Sequence, residues 1–151
     1  MKKSNILSSP IKKVKTNYFT GKVKLREISG ITKPKEHDMY HVMFKKSART
    51  KLHYHTGGQR LIVTKGKGSL VLYNKKNRGI SKFKISKTGT INLNVGDTVY
   101  IPANTLHTHG SVKNNQIFSH IALNFYPKKG TKPRTVWFES DLRSAVTGKI
   151  Q

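Results

Sequence analysis

No cysteine occurs anywhere in this sequence, which excludes disulfides, thiolate metal sites and cysteine nucleophiles. Any metal would have to be held by nitrogen and oxygen. Acids are nearly as scarce: Glu27, Glu36, Asp38, Asp97, Glu139 and Asp141 are the only six, and none falls between Met39 and Gly96. A mechanism built on paired carboxylates has no footing in the middle of the chain. Long apolar runs are missing too. Nothing is long enough to cross a bilayer, and the basic start MKKSNILSSPIKKVKTNYF holds no apolar stretch of signal-peptide length. The expectation is a soluble, cytoplasmic protein.

What is present in excess is positive charge. Thirty Lys and Arg against six Asp and Glu give a formal net charge of +24. Such an excess makes a field that draws nucleic acid, anionic lipid or anionic small molecules. The lysines are dispersed rather than gathered into one stripe, which equally describes a solvated coat. No nucleic-acid motif or exposed stacking platform accompanies them, so any affinity of that kind is expected to be nonspecific.

At 151 residues the chain suits one domain with a real core. Residues 1–16 read as a flexible basic arm whose end can join the fold, and residues 17–151 as the domain. From Tyr18 onward, short segments rich in Val, Ile, Leu, Tyr and Phe alternate with Gly, Asn, Pro and Ser, the pattern of an antiparallel all-β barrel or sandwich. Expected strands are 22–28, 40–46, 50–55, 59–66, 68–74, 89–95, 97–102, 106–112 and 117–126. The basic stretch NKKNRGISKFKISKTGT at 74–90 reads as a long hairpin or loop, with SKFKI able to pair at its edge. SDLRSAV near the end reads as a short C-terminal helix opened by Ser140 as its cap.

Four of the seven histidines come as two His-x-His pairs, His53 with His55 and His107 with His109. On a strand, residues two apart share a face. His53 and His55 then look inward if Leu52 and Tyr54 look out, and after the Thr56, Gly57, Gly58 turn Gln59 starts the returning strand on the same side. A single histidine on a strand is ordinarily a packed or surface residue, but two such pairs in one β domain point to a metal. Imidazole nitrogen suits Zn, Cu, Fe and Ni, and an amide oxygen suits harder ions such as Mn. Neutral donors leave a divalent ion its whole charge, which makes it a strong Lewis acid.

These residues resemble the cupin superfamily. KLHYHTGGQRL lies in a segment similar to its first motif, G(X)5HXH(X)3-4E(X)6G, with Ser47 at the first glycine, Gln59 at the acid and Gly66 at the end. The second motif, G(X)5PXG(X)2H(X)3N, is matched at Gly96, Pro102 and His107, with Asn104 for glycine and Ser111 for asparagine. The resemblance implies a cupin jelly-roll β-barrel. The phrases NYFTGKVKL, VGDTVYIPANTLHTHG, FSHIAL and VWFESDL extend it to the small single-domain cupins with a glutamine ligand, among them the manganese-dependent hydroxynitrile lyases. That similarity implies His53, His55, Gln59 and His107 as metal ligands and His120 as general base. It places His109, Tyr40, Val42 and Asn124 in the pocket and implies a homodimer paired through the N-terminal strand. The expected cofactor is a divalent transition metal, foremost Mn, with Fe, Zn, Ni and Co compatible. Thr108 and Leu52 stand where those lyases carry tryptophan, and the basic insertion is foreign to them, so the resemblance implies the cage without the substrate. A lyase acting on a small oxygen-bearing organic compound, an Fe-dependent dioxygenase and a non-enzymatic metal-binding module with anion or nucleic-acid affinity all fit this pattern.

Overall fold

A computed structural model describes residues 1–112 and 117–151. Its elements are β1 (Ile11–Lys12), β2 (Phe19–Thr20), β3 (Val23–Glu27), α1 (Ser29–Thr32), β4 (His37–Lys45), β5 (Arg49–Thr50), β6 (Leu52–His55) and β7 (Gln59–Lys65). There follow β8 (Gly68–Lys75), β9 (Phe83–Leu93), β10 (Thr98–Ile101), β11 (Leu106–Ser111), β12 (Ile117–Phe125), β13 (Thr135–Ser140) and β14 (Ala145–Ile150). One sheet runs β1-β3-β4-β12-β7-β10, and the other runs β2-β5-β11-β6-β13-β14-β9-β8. In the second sheet β8 also pairs with β11, from Leu106 opposite Tyr73 to Ser111 opposite Gly68, so the sheet closes on itself and β8 is not left as a free edge. The all-β jelly-roll expectation holds.

The alternation of each strand sorts its side chains into two apolar clusters. Phe44, Leu61, Val63, Leu70, Leu93 and Phe118 pack between the sheets. Leu52, Tyr73, Phe83, Ile85, Leu106, Phe138 and Val146 form a second cluster. Leu52 therefore does not look out to solvent. It faces away from His53 but is wholly buried, because the β8–β9 and β13–β14 hairpins cover that side of β6. The basic insertion contributes directly: its SKFKI segment starts β9, and Phe83 and Ile85 enter this second core.

The expected C-terminal helix is absent, and SDLRSAV is instead the turn of the β13–β14 hairpin. The groups that could cap a helix close this turn. The Ser140 hydroxyl donates to the Ala145 carbonyl at 2.7 Å, and an Asp141 carboxylate oxygen accepts the backbone N–H groups of Arg143, Ser144 and Ala145. Leu142 at φ 57° sits in the left-handed region that no α-helix tolerates.

The first motif's two glycine positions and the second motif's two all lie at positive φ: Ser47 at 60°, Gly66 at 73°, Gly96 at 91° and Asn104 at 63°. A side chain there costs energy, less for Asn than for most residues. The glycine pair after His55 has another reason. A Cβ on Gly57 would lie 1.9 Å from the Phe125 carbonyl oxygen, and one on Gly58 would lie 2.3 Å from the Tyr100 hydroxyl. The hairpin loop is thereby pressed against β12 and β10, and Phe125 N–H donates to the Gly58 carbonyl at 2.9 Å.

Candidate metal centre

Strand β6 carries His53 and His55, β7 opens with Gln59, and β11 carries His107 and His109. His53 lies directly opposite His107 in the β6–β11 pairing, and Gln59 lies opposite Asn124 in β7–β12. The loops bearing the two motifs are tied by Asn104 N–H donating to the His55 carbonyl at 2.8 Å. His53, His55 and His107 each offer a ring nitrogen such that all three atoms lie within 4.8 Å of one another. All three are buried.

Hydrogen bonds fix which nitrogen is offered. His53 Nδ1 stands 2.8 Å from the Lys51 carbonyl oxygen, and His107 Nδ1 stands 2.8 Å from that of Thr105. A carbonyl can only accept, so in both rings the proton is on Nδ1 and the lone pair is on Nε2. His55 Nδ1 is 2.8 Å from the Thr135 hydroxyl. The amide of Gln59 is oriented the same way, with its Nε2 donating to Asn124 Oδ1 at 2.8 Å. What remains is two buried acceptors, Nε2 of His107 and Oε1 of Gln59, and Nε2 of His55, a third when Thr135 accepts from Nδ1–H, all with no hydrogen-bond partner among the described residues. An unsatisfied buried acceptor costs about 1–3 kcal/mol. Several aimed into one cavity are what a cation site requires, and this donor set fits a divalent transition ion.

Burial sets the protonation states. It lowers His55 to about 3 and His107 to about 4, with neighbouring His107 adding repulsion at His55. Burial likewise holds His53 and His109 well below the ordinary imidazole value. The rings are neutral at physiological pH, the state in which they ligate.

The centre opens into a cavity of about 280 Å³. Every pocket residue expected from the sequence lines it: Tyr40 and Val42 from β4, His109 from β11, and His120 and Asn124 from β12. Asn124 does more than line the wall, since it aims the Gln59 amide. His120 is wholly buried, its Nε2 is 3.2 Å from His109 Nδ1, and its own Nδ1 has no hydrogen-bond partner among the described residues. Burial, with a further push from His41, lowers it to about 3.

Two residues of the site escape the sequence. Trp137 lines the cavity and stacks with two rings, 4.2 Å from that of His53 and 4.5 Å from that of Tyr18. Thr135, two residues earlier on the same face of β13, holds His55. Reading TVWFES as a strand next to LHYH would have shown both, because alternation puts Thr135 and Trp137 on the face opposite to Phe138.

A buried three-histidine cluster in a two-sheet barrel, with an orphaned amide beside it, defines a β-barrel with a site able to hold a metal. The chain belongs to the cupin family, whose pattern matches residues 36–149. Among solved structures it is similar to a cupin-like protein from Thermotoga maritima, at 29% identity and TM-score 0.62 over 85% of this chain and 84% of that one. It is also similar to a polyketide cyclase from Streptomyces resistomycificus, at 14% identity and TM-score 0.62 over 94% and 89% of the two chains. A Bacillus subtilis oxalate decarboxylase is matched at 15% identity and TM-score 0.60, over 87% of this chain but 30% of that one. The latter two are likenesses of fold. No curated protein sequence matches the chain.

Proposed function

We propose that this cupin is a metal-dependent enzyme acting on a small oxygen-bearing organic substrate by lyase-type chemistry, with Mn as the metal. The observation that supports it is the set of orphaned, neutral groups on His55, Gln59 and His107, two of which, His55 and Gln59, line a cavity that His120 also lines. His53, His55, Gln59 and His107 would hold the ion, which supplies Lewis acidity toward a substrate oxygen.

The chain's own residues supply proton handling and shape. With the shared proton on His120 Nε2, the bond to His109 leaves the Nδ1 lone pair free to take a proton from substrate. Burial keeps that nitrogen neutral, though it also makes it a weak base, so its partner must be acidified by its surroundings. Val42, Phe44 and Trp137 give the cavity apolar walls and limit water.

The decisive variant is His120→Ala in protein purified without a histidine tag, screened on cyanohydrins and small hydroxy and carbonyl compounds. Metal content should equal that of the wild type, while turnover falls by about 100-fold or more, the usual weight of a positioned acid or base. Undiminished turnover removes His120 from the mechanism. Oxygen consumption in step with product would replace lyase chemistry by oxygenation.

A further inference from the structure

The arm that precedes the domain does not leave the molecule. Ile11 and Lys12 pair with Arg26 and Leu25 of β3, Glu27 N–H donates to the Pro10 carbonyl at 3.1 Å, and Arg26 Nη1 donates to the Ser9 carbonyl at 2.7 Å. These bonds carry the segment from Lys12 to Lys15 along the mouth of the histidine cavity, which Lys12, Lys13, Val14 and Lys15 all line. The Lys12 ammonium stands 5.4 Å from the centre of the Tyr40 ring, a cavity wall. The Lys15 ammonium stands 5.7 Å from that of Tyr18, which the Trp137 stack ties to His53. Lys15 also donates to the Gln151 carbonyl at 3.2 Å.

Among the described residues no Asp or Glu carboxylate pairs with these three ammonium groups; the one side-chain ion pair is Lys51 with Glu139. Among the described residues, no acid lines the cavity. Burial, with further pushes from Asp38 and Glu27, raises the ionisation of the Tyr40 hydroxyl, but neither acid lines the cavity. The result is a small chamber with three ammonium groups at its mouth that no acidic side chain pairs, apolar walls in between and neutral donors at its floor.

We infer that Lys12, Lys13 and Lys15 are an anion-selecting rim, and that the molecule taken into the cavity is a small organic carboxylate whose charged end stays at the arm. The apolar walls of Val42, Phe44 and Trp137 suit a charged group carried on a short carbon body, such as a carboxylate, better than a bare phosphate, which has no apolar part to set against them. The inference rests on the metal-enzyme reading only for which end of the cavity reacts.

Trp137, the chain's single tryptophan, reports on the cavity directly. Its fluorescence is titrated at constant ionic strength with butyrate and with butyramide, its neutral isostere, and metal content is measured in parallel. The wild type should bind butyrate about tenfold more tightly than butyramide, the scale of a few partly solvated charges at close range. The full-length variant Lys12→Gln/Lys13→Gln/Lys15→Gln should bring that ratio to within about twofold of unity, with butyramide binding and metal content unchanged. Lys76→Gln/Lys82→Gln/Lys84→Gln, which removes as much charge from the exposed insertion, should leave the ratio intact.

A ratio unchanged by the arm variant, equal loss in the insertion variant, or no response to butyrate overturns the rim. Phosphate displacing butyrate at lower concentration than chloride overturns the choice of carboxylate. Absence of metal would refute the enzyme reading, and leaves the charge ratio to test the rim by itself.

Discussion

Strand β6 divides the molecule into two regions built on opposite principles. Leu52 on one face enters a core of apolar side chains and Tyr73 that leaves no side-chain atom unsatisfied among the described residues, whereas His53 on the other joins buried rings and an amide with vacant lone pairs. The first region gains stability from every atom it buries. The second loses stability, since each neutral ring refuses a proton that the unfolded chain would take. The apolar side supports the strand on which the polar side is aimed, and function is drawn from the side that folding does not favour.

The largest expected effect lies on the apolar face. Leu52→Ala should cost about 3–5 kcal/mol, the range for a fully buried leucine with little room to collapse, read as a lowered denaturant midpoint. His53→Ala, one residue away, should cost far less stability while reducing metal uptake severely. Equal losses from the two would erase the distinction between the faces.

Acid should act on the polar face. His55, His107 and His120 have folded values lowered to about 3, 4 and 3. As pH falls below the ordinary imidazole value near 6.5, the unfolded chain binds protons that the native chain does not, so stability drops with falling pH until the folded values are reached. At pH 5 the loss is roughly 2 kcal/mol for each such histidine in metal-free protein. Unfolding midpoints that stay flat between pH 7 and 5 would show that these rings are not held neutral.

Smaller effects sharpen the same contrast. Thr135→Val removes the hydroxyl beside His55 Nδ1 and should weaken metal binding by about tenfold, the lower end for an outer-shell partner, with the unfolding midpoint nearly unchanged. Ser47→Gly relieves a side chain at φ 60° and should stabilise by about 1 kcal/mol, with no change in metal binding. A destabilised Ser47→Gly would mean that its side chain contributes more than its backbone costs.

Much of this was legible in the sequence, for identifiable reasons. The interior strands from Val23–Glu27 to Ile117–Phe125 announce themselves by alternation and by turn residues. The two His-x-His pairs translate directly into a shared face, because two residues is the period of a strand. What the sequence hides is the last hairpin, because Ser140 and Asp141 offer the same oxygen acceptors to a turn as to a helix start, and only the positive φ of Leu142 separates the two. That misreading also concealed Thr135 and Trp137. The covering of Leu52 was hidden for a related reason: β9 opens within a stretch that reads as a hairpin or loop and β14 within one that reads as a helix, yet together they complete the closed sheet.

Metal stoichiometry tests the central claim most directly. Untagged protein should carry close to one divalent transition ion per chain by elemental analysis, and His107→Ala should carry none while keeping the β-sheet circular dichroism of the wild type. A wild-type chain that takes up no transition ion from any of Mn, Fe, Co, Ni or Zn, or a His107→Ala chain that binds as much as the wild type, contradicts the account.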